Sequence, residues 1–272
     1  MTETVKDGDM TSASINVIPV PAFRDNYLWL FHLDCDSRAY VVDPGDARPI
    51  VAALARHNLT LAGILITHHH PDHTGGIDPL LASGKVPVYG PAGGSVPQVT
   101  HPLKDGASIT LDNQLSFQIL TVPGHTLDHI AYFCAQGADP VLFCGDTLFA
   151  GGCGRLFEGT PEQMYQSLGK LSRLPDPTQV YCAHEYTLAN LAFAEAVDGD
   201  NHALQERIAT EQSKRQQQEP TVPSTIALEK STNPFLRCDQ KSVKTAAESH
   251  CGRLLDSPQQ VLAAVREWKD NF

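Results

Sequence analysis

A chain of 272 residues, 42% apolar and 19% charged, can bury a core large enough for one domain plus a smaller one. Its 31 acids against 20 Lys and Arg give a formal net charge of −11, which opposes non-specific attraction to nucleic acid or anionic membrane. Seven cysteines, an odd number with no C-x-x-C pair, speak against a disulfide framework and fit a reducing compartment. No apolar stretch reaches the ~20 residues that span a bilayer.

The first fourteen residues are polar and contain acids, unlike a secretion signal or an Arg-rich transit peptide. They read as a disordered leader on a cytoplasmic protein. Strand-like runs follow at 15–20, 27–33 and 39–42, separated by Arg24-Asp25-Asn26 and Asp43-Pro44-Gly45. A helix is expected at 48–57, then a buried strand at 61–67 that runs straight into a histidine cluster. Further strands are predicted at 87–89, 115–122, 130–134, 141–144 and 179–182. Thr160, Pro161 and Gln163 open a helix whose apolar face carries Met164, Leu168 and Leu171. Beyond Glu185 the text turns helical, at 187–197, 201–218 and 258–268, with a Pro-containing connection at 219–230. This order predicts an α/β domain over 15–185 and a helical domain over 186–272.

The segment Thr67-His68-His69-His70-Pro71-Asp72-His73 carries the strongest chemical signal. Residues two apart in extended chain point the same way, so His68 and His70 can share one metal. Pro71 then redirects the chain, and Asp72 and His73 can face a second. His69 points opposite to its neighbours and reads as structural. Three more candidates close apolar strands: His125 after Pro123-Gly124, Asp146 after Cys144-Gly145, and His184 before Glu185. A lone strand-end His or Asp is usually a satisfied polar group; four such elements in one chain make a ligand set for zinc, iron or manganese.

The motifs T-H-x-H-x-D-H, P-G-H-T, G-D-T-L-F and H-E-Y resemble the metallo-β-lactamase superfamily. Asp25-Asn26-Tyr27, Gly151-Gly152-Cys153-Gly154-Arg155 and Asn233-Pro234-Phe235-Leu236-Arg237 resemble, within it, the glyoxalase II (hydroxyacylglutathione hydrolase) family. The resemblance implies an αββα sandwich with two divalent metals, zinc foremost and iron or manganese as alternatives, at one edge. It implies that His68, His70 and His125 hold one metal, that Asp72, His73 and His184 hold the other, and that Asp146 bridges them. It further implies a glutathione thioester as substrate. Arg155 and Tyr186 would contact it, Arg237 with Lys241 would clamp its glycine end, and Phe157 would stand where some relatives have Tyr. Asp43 either orients a ligand imidazole or merely forms its turn; Asp128 and His129 are expected to support the site from behind or to be structural.

Two metals ~3.5–4 Å apart can share a water, lower its pKa towards ~7 and present hydroxide to the thioester carbonyl. The leaving thiolate, of conjugate-acid pKa near ~8.5, needs little protonation. Asp72 could also accept a hydrogen bond from that hydroxide. The chain is expected to act as a monomer. Rival expectations are a single-iron glutathione persulfide dioxygenase and another hydrolase of the same fold. Asp146 and His184 are too close in sequence for the inserted domain of some nucleic-acid-processing relatives.

Overall fold

The computed structural model describes residues 15–272 apart from Cys35, Asn113 and Ala138, so the expected leader lies outside the described residues. The first sheet is formed, in spatial as in chain order, by β1 (Ile15–Ala22), β2 (Asn26–Leu33), β3 (Arg38–Val42), β4 (Thr60–Leu65), β5 (Val88–Pro91) and β6 (His101–Leu103). The first three pair antiparallel and the last three join in parallel. Helix α1 (Ala47–His57) makes the crossover from β3 to β4; Asp46 caps its start, and Asn58 ends it in the left-handed conformation. Two short helices, α2 (Pro71–Thr74) and α3 (Ile77–Ser83), follow β4.

The second sheet contains β7 (Ser108–Leu111), β8 (Leu115–Thr121), β9 (Ile130–Cys134) and β10 (Val141–Gly145). A two-strand ribbon, β11 (Leu148–Phe149) and β12 (Gly152–Cys153), leads to α4 (Pro161–Leu171), which starts at the expected capping box. Strand β13 (Gln179–Cys182) then pairs in parallel with β10. The remainder comprises α5 (Thr187–Asp198), α6 (His202–Gln216), β14 (Ser224–Thr225), α7 (Ile226–Thr232), α8 (Lys241–Cys251) and α9 (Pro258–Asp270). No helix among the described residues is long and apolar enough to cross a membrane.

The alternation along β2 shows how the layers assemble. Tyr27, Trp29, Phe31 and Leu33 join the core between the two sheets, whereas Leu28 and Leu30 pack with Ile50 and Leu80 under α1 and α3. Both faces of the strand are therefore apolar, as a strand covered on both sides requires. Phe31 anchors the inter-sheet core, its ring 5.6 Å from Phe117 and 5.2 Å from Phe143. The expected αββα sandwich with added helices is the architecture found.

The stretch 219–230, expected as a connection, holds β14 and most of α7. Two residues of β14 suffice to extend the second sheet by pairing with β13, too short a run to leave a periodic signature. Helix α8 also lacks a strong apolar stripe, burying only Val243 and Ala247. What fastens these helices is a buried ion pair. Arg207 Nη2 lies 2.7 Å from Glu229 Oε1, and Glu229 Oε2 accepts N–H groups from Gly151 and the Asn233 side chain, each at 2.9 Å. The Asn233 amide also donates to the Gly152 carbonyl at 2.9 Å. The Asn-Pro-Phe-Leu-Arg segment thus holds the β11–β12 ribbon beside the sheet ends.

Candidate metal centre

The loops after β3, β4, β8, β10 and β13 meet at one edge of the sandwich. The turn after β3 places Asp43 with φ of +51°, and the next residues approach the histidine loop so closely that a Cβ on Gly45 would lie 1.8 Å from the Asp72 carbonyl oxygen. Gly145 is constrained in the same way: its φ is +48°, and a Cβ there would lie 2.3 Å from Thr67 Oγ1. Only glycine lets the chain turn there and present Asp146.

The structure brings all seven sequence-predicted donors together. Nitrogens of His68, His70 and His125 lie mutually within 4.8 Å, and so do donor atoms of Asp72, His73 and His184. Asp146 stands between the groups: Oδ2 is 3.4 Å from Nε2 of both His125 and His184, and Oδ1 is 3.5 Å from His73 Nε2.

Three of the five imidazoles are oriented by a carboxylate or carbonyl behind them. His73 Nδ1 meets Asp43 Oδ2 at 3.0 Å, His184 Nδ1 meets Asp25 Oδ1 at 2.9 Å, and His125 Nδ1 meets the Arg155 carbonyl at 2.8 Å. These contacts leave Nε2 of each ring facing the common space. Asp43 also accepts the Thr67 N–H and hydroxyl at 2.8 and 2.7 Å, so its orienting role joins its turn-forming one. Asn26 donates to Asp72 Oδ2 at 3.0 Å. His129, pushed down to about 3 by burial and by neighbouring His125, is neutral and accepts the Asp146 N–H at 3.1 Å. His69 turns away, as its alternation implies, towards Asp128.

Whether these residues fit metal ions can be tested on the polar atoms they leave over. His68 Nε2, His73 Nε2 and Asp146 Oδ1 are buried with no hydrogen-bond partner, and each belongs to the cluster. An orphaned buried polar atom costs roughly 1–3 kcal/mol, and native proteins rarely keep one without a reason. Burial, and then His73, hold His68 well below the usual imidazole range, which leaves its lone pair available. Burial opposes the charge on Asp146, yet His73 and His184 hold its carboxyl well below the usual range. Burial opposes charge on His73 and His184, yet Asp146 raises both above the usual imidazole range. The cluster's carboxylates thus hold positive charge where a neutral His68 and the orphaned donor atoms converge, as divalent cations would be held.

A cavity of about 520 Å³ opens onto this cluster, lined by His70, Asp72, His125, Asp146 and His184 and, further out, by Arg155, Phe157, Tyr186, Arg266 and Lys269. Tyr186 stacks on His184 with ring centroids 4.6 Å apart, and Phe157 sets its edge against His125 at 5.3 Å. Arg237 and Lys241, the expected clamp, are not among the lining residues. The Arg237 guanidinium pairs instead with Asp198 at 3.1 Å, and Lys241 is exposed at the start of α8. Arg266 and Lys269, one turn apart on α9, line it instead. Arg266 donates to the Cys153 carbonyl at 2.9 Å and shares Asp270 with Arg155 at 3.1 and 3.2 Å. Burial, and then Arg266, push Lys269 down to about 8. Two guanidiniums thus share one carboxylate beside the cavity, while Lys269 Nζ donates to the Ala189 carbonyl at 3.1 Å.

Comparisons with known proteins accord with this geometry. A family model described as the metallo-beta-lactamase superfamily matches residues 33–184, and one described as the hydroxyacylglutathione hydrolase C-terminus matches residues 185–272. A hydroxyacylglutathione hydrolase of Alkalilimnicola ehrlichii is 56% identical over 93% of this chain and 98% of its own length. One of Nitrosomonas eutropha is 51% identical over 95% and 99%. The chain belongs to the hydroxyacylglutathione hydrolase family. The family expected from the motifs is therefore the one found. Among solved structures, ETHE1 from Myxococcus xanthus superimposes with a TM-score of 0.60 at 26% identity, covering 92% of this chain and 98% of that one. The hydroxyacylglutathione hydrolase C-terminus model spans the region that contains α9.

Asp25, Asn26, Arg266 and Lys269 are the residues that sequence reasoning left without a role. The last two carried a signal, since cations three apart on a terminal helix share a face. Asp25 and Asn26 stood out only as part of the Asp25-Asn26-Tyr27 resemblance, because their contacts cross 159 and 46 residues of chain.

Proposed function

We propose that this chain hydrolyses glutathione thioesters, converting S-D-lactoylglutathione to glutathione and D-lactate. The observation that carries the reading is the meeting, in one cavity, of a seven-donor His/Asp cluster with the cations Arg155, Arg266 and Lys269. His68, His70 and His125 would hold one ion, Asp72, His73 and His184 the other, and Asp146 both. Zinc is the ion we infer, although the same donors suit iron and manganese. When bound, such a pair supplies hydroxide at neutral pH and polarises a carbonyl.

The chain's own residues do the rest. Asp43, Asp25 and the Arg155 carbonyl fix the tautomers of His73, His184 and His125, so that these three imidazoles need not reorient during turnover. Asn26 holds the Asp72 carboxylate. Tyr186 offers a hydroxyl to the tripeptide, whereas Phe157 offers only an apolar edge. The departing thiolate needs no dedicated acid. Local cations answer the problem posed by a net charge of −11: they neutralise the glutathione carboxylates where these bind. We infer a cytoplasmic monomer; that compartment fits the six described cysteines, which are thiols.

Thiol release from S-D-lactoylglutathione by the metal-loaded chain tests the reading directly; its absence would remove it. Recognition is tested separately. Lys269→Ala is expected to raise KM by roughly ten- to two-hundred-fold, the equivalent of ~1.5–3 kcal/mol for a lost charge-assisted hydrogen bond, with metal content unchanged. A thioester lacking the glycine carboxylate should be hydrolysed equally by parent and variant. Arg237→Ala should leave the ratio of kcat/KM for the two substrates where it was. Because burial lowers Lys269 to about 8, its charge fades as pH rises through that value, and KM should climb above pH 8 in the parent but not in Lys269→Ala. A pH-independent KM in the parent would remove Lys269 from the contact.

A further inference from the structure

The two cations that α9 sends to the cavity each lie over an aromatic ring, and the thioester reading leaves those rings without a role. Arg266 Cζ is 5.1 Å from the ring centroid of Phe235, the phenylalanine of the Asn-Pro-Phe-Leu-Arg segment. Lys269 Nζ is 5.2 Å from the centroid of Phe193 on α5 and 5.9 Å from that of Phe272. The negative faces of such rings attract a cation at these distances. Asp270, the neighbour of Lys269 in sequence, is engaged by Arg266 and Arg155 instead.

The rings around Lys269 are built as a corner. Phe193 is fully buried, with the edge of Trp268 against it at 5.5 Å and 82°. The Asn271 N–H closes the last turn of α9 on the Trp268 carbonyl at 3.1 Å, and Phe272 beyond it meets Phe193 at 5.3 Å and 72°. The ammonium lies against both rings and donates once, to the Ala189 carbonyl at 3.1 Å. An ammonium has three donors, so others are left for a ligand carboxylate. A lysine stem is flexible, and ordering it on binding costs entropy that a preformed seat reduces. Phe193 also serves the core, but Phe272 is 64% exposed and contributes little to it.

We propose that Phe272 is a positioning residue for substrate recognition: with Phe193 it holds the Lys269 ammonium in place for the glycine carboxylate of glutathione. The proposal rests on the thioester reading, which supplies the ligand, and adds to it the device that orients the cation.

Calorimetric titration of glutathione into the metal-loaded chain, alongside thioester kinetics, tests the proposal. Phe272→Ala should raise the Kd for glutathione and the KM for the thioester by roughly two- to five-fold, the range an exposed cation–π contact supplies, with kcat and metal content unchanged. Phe272→Tyr keeps the ring and should restore both constants. In a Lys269→Ala background Phe272→Ala should change neither, because a residue that acts through Lys269 has nothing left to position. If Lys269→Ala loses affinity while Phe272→Ala binds as the parent does, or weakens binding equally in both backgrounds, the proposal is overturned and the thioester reading stands. Glutathione bound equally well by the parent and Lys269→Ala would remove the contact itself, and the proposal with it.

Discussion

Asp146→Asn should strip at least one metal ion from each chain and lower kcat/KM by more than ~100-fold, beyond the 10- to 100-fold typical of partners that merely orient ligands. The substitution keeps the side chain's shape and removes its charge. That charge lies within 3.5 Å of Nε2 in His73, His125 and His184. Two dications held close together repel each other, and a shared carboxylate is what the cluster offers to offset the repulsion. An amide also turns one acceptor into a donor facing imidazole nitrogens. Elemental analysis of the purified variant checks the result; two tightly held ions with near-normal turnover would take Asp146 out of the bridge.

Glu229→Gln should be the most destabilising single change outside the centre, by ~3–5 kcal/mol, the range for breaking one partner of a buried ion pair. Glu229 is fully buried and receives Arg207, Ser224, Gly151 and Asn233. Glutamine leaves the buried Arg207 without a counter-charge and points an amide donor at groups that are themselves donors. Denaturant unfolding should show a lowered midpoint with an unchanged m-value. A loss below ~1 kcal/mol would mean that the helices are fastened to the ribbon by apolar packing instead.

The sequence made the metal donors legible because their signals are local. His68 to His73 form one unbroken segment, and His125, Asp146 and His184 each close a recognisable apolar strand. The sheets were legible for the same reason, from runs such as 130–134 whose apolar character survives inspection of a few neighbours. What stayed hidden depends on distance along the chain. Asp25 reaches His184 across 159 residues, and the contact between Glu229 and Gly151 spans 78. Assigning Arg237 and Lys241 to the substrate illustrates the hazard. Arg237 ends a motif that resembles the family's and Lys241 follows it, but Asn233 in that motif braces a ribbon and Arg237 answers Asp198. The cations that reach the cavity lie a further 29 residues on from Arg237, where α9 returns to the sheet ends. Strand β14 was illegible for another reason: two residues carry no period.

The most direct measurement follows thiol release from S-D-lactoylglutathione as zinc is added back, equivalent by equivalent, to metal-stripped chain, with an oxygen electrode in the same vessel. Activity should climb until two equivalents are bound and then level off, with no oxygen consumed. A maximum at one equivalent, oxygen uptake in step with turnover, or no thiol at any loading would contradict a two-metal glutathione thioesterase.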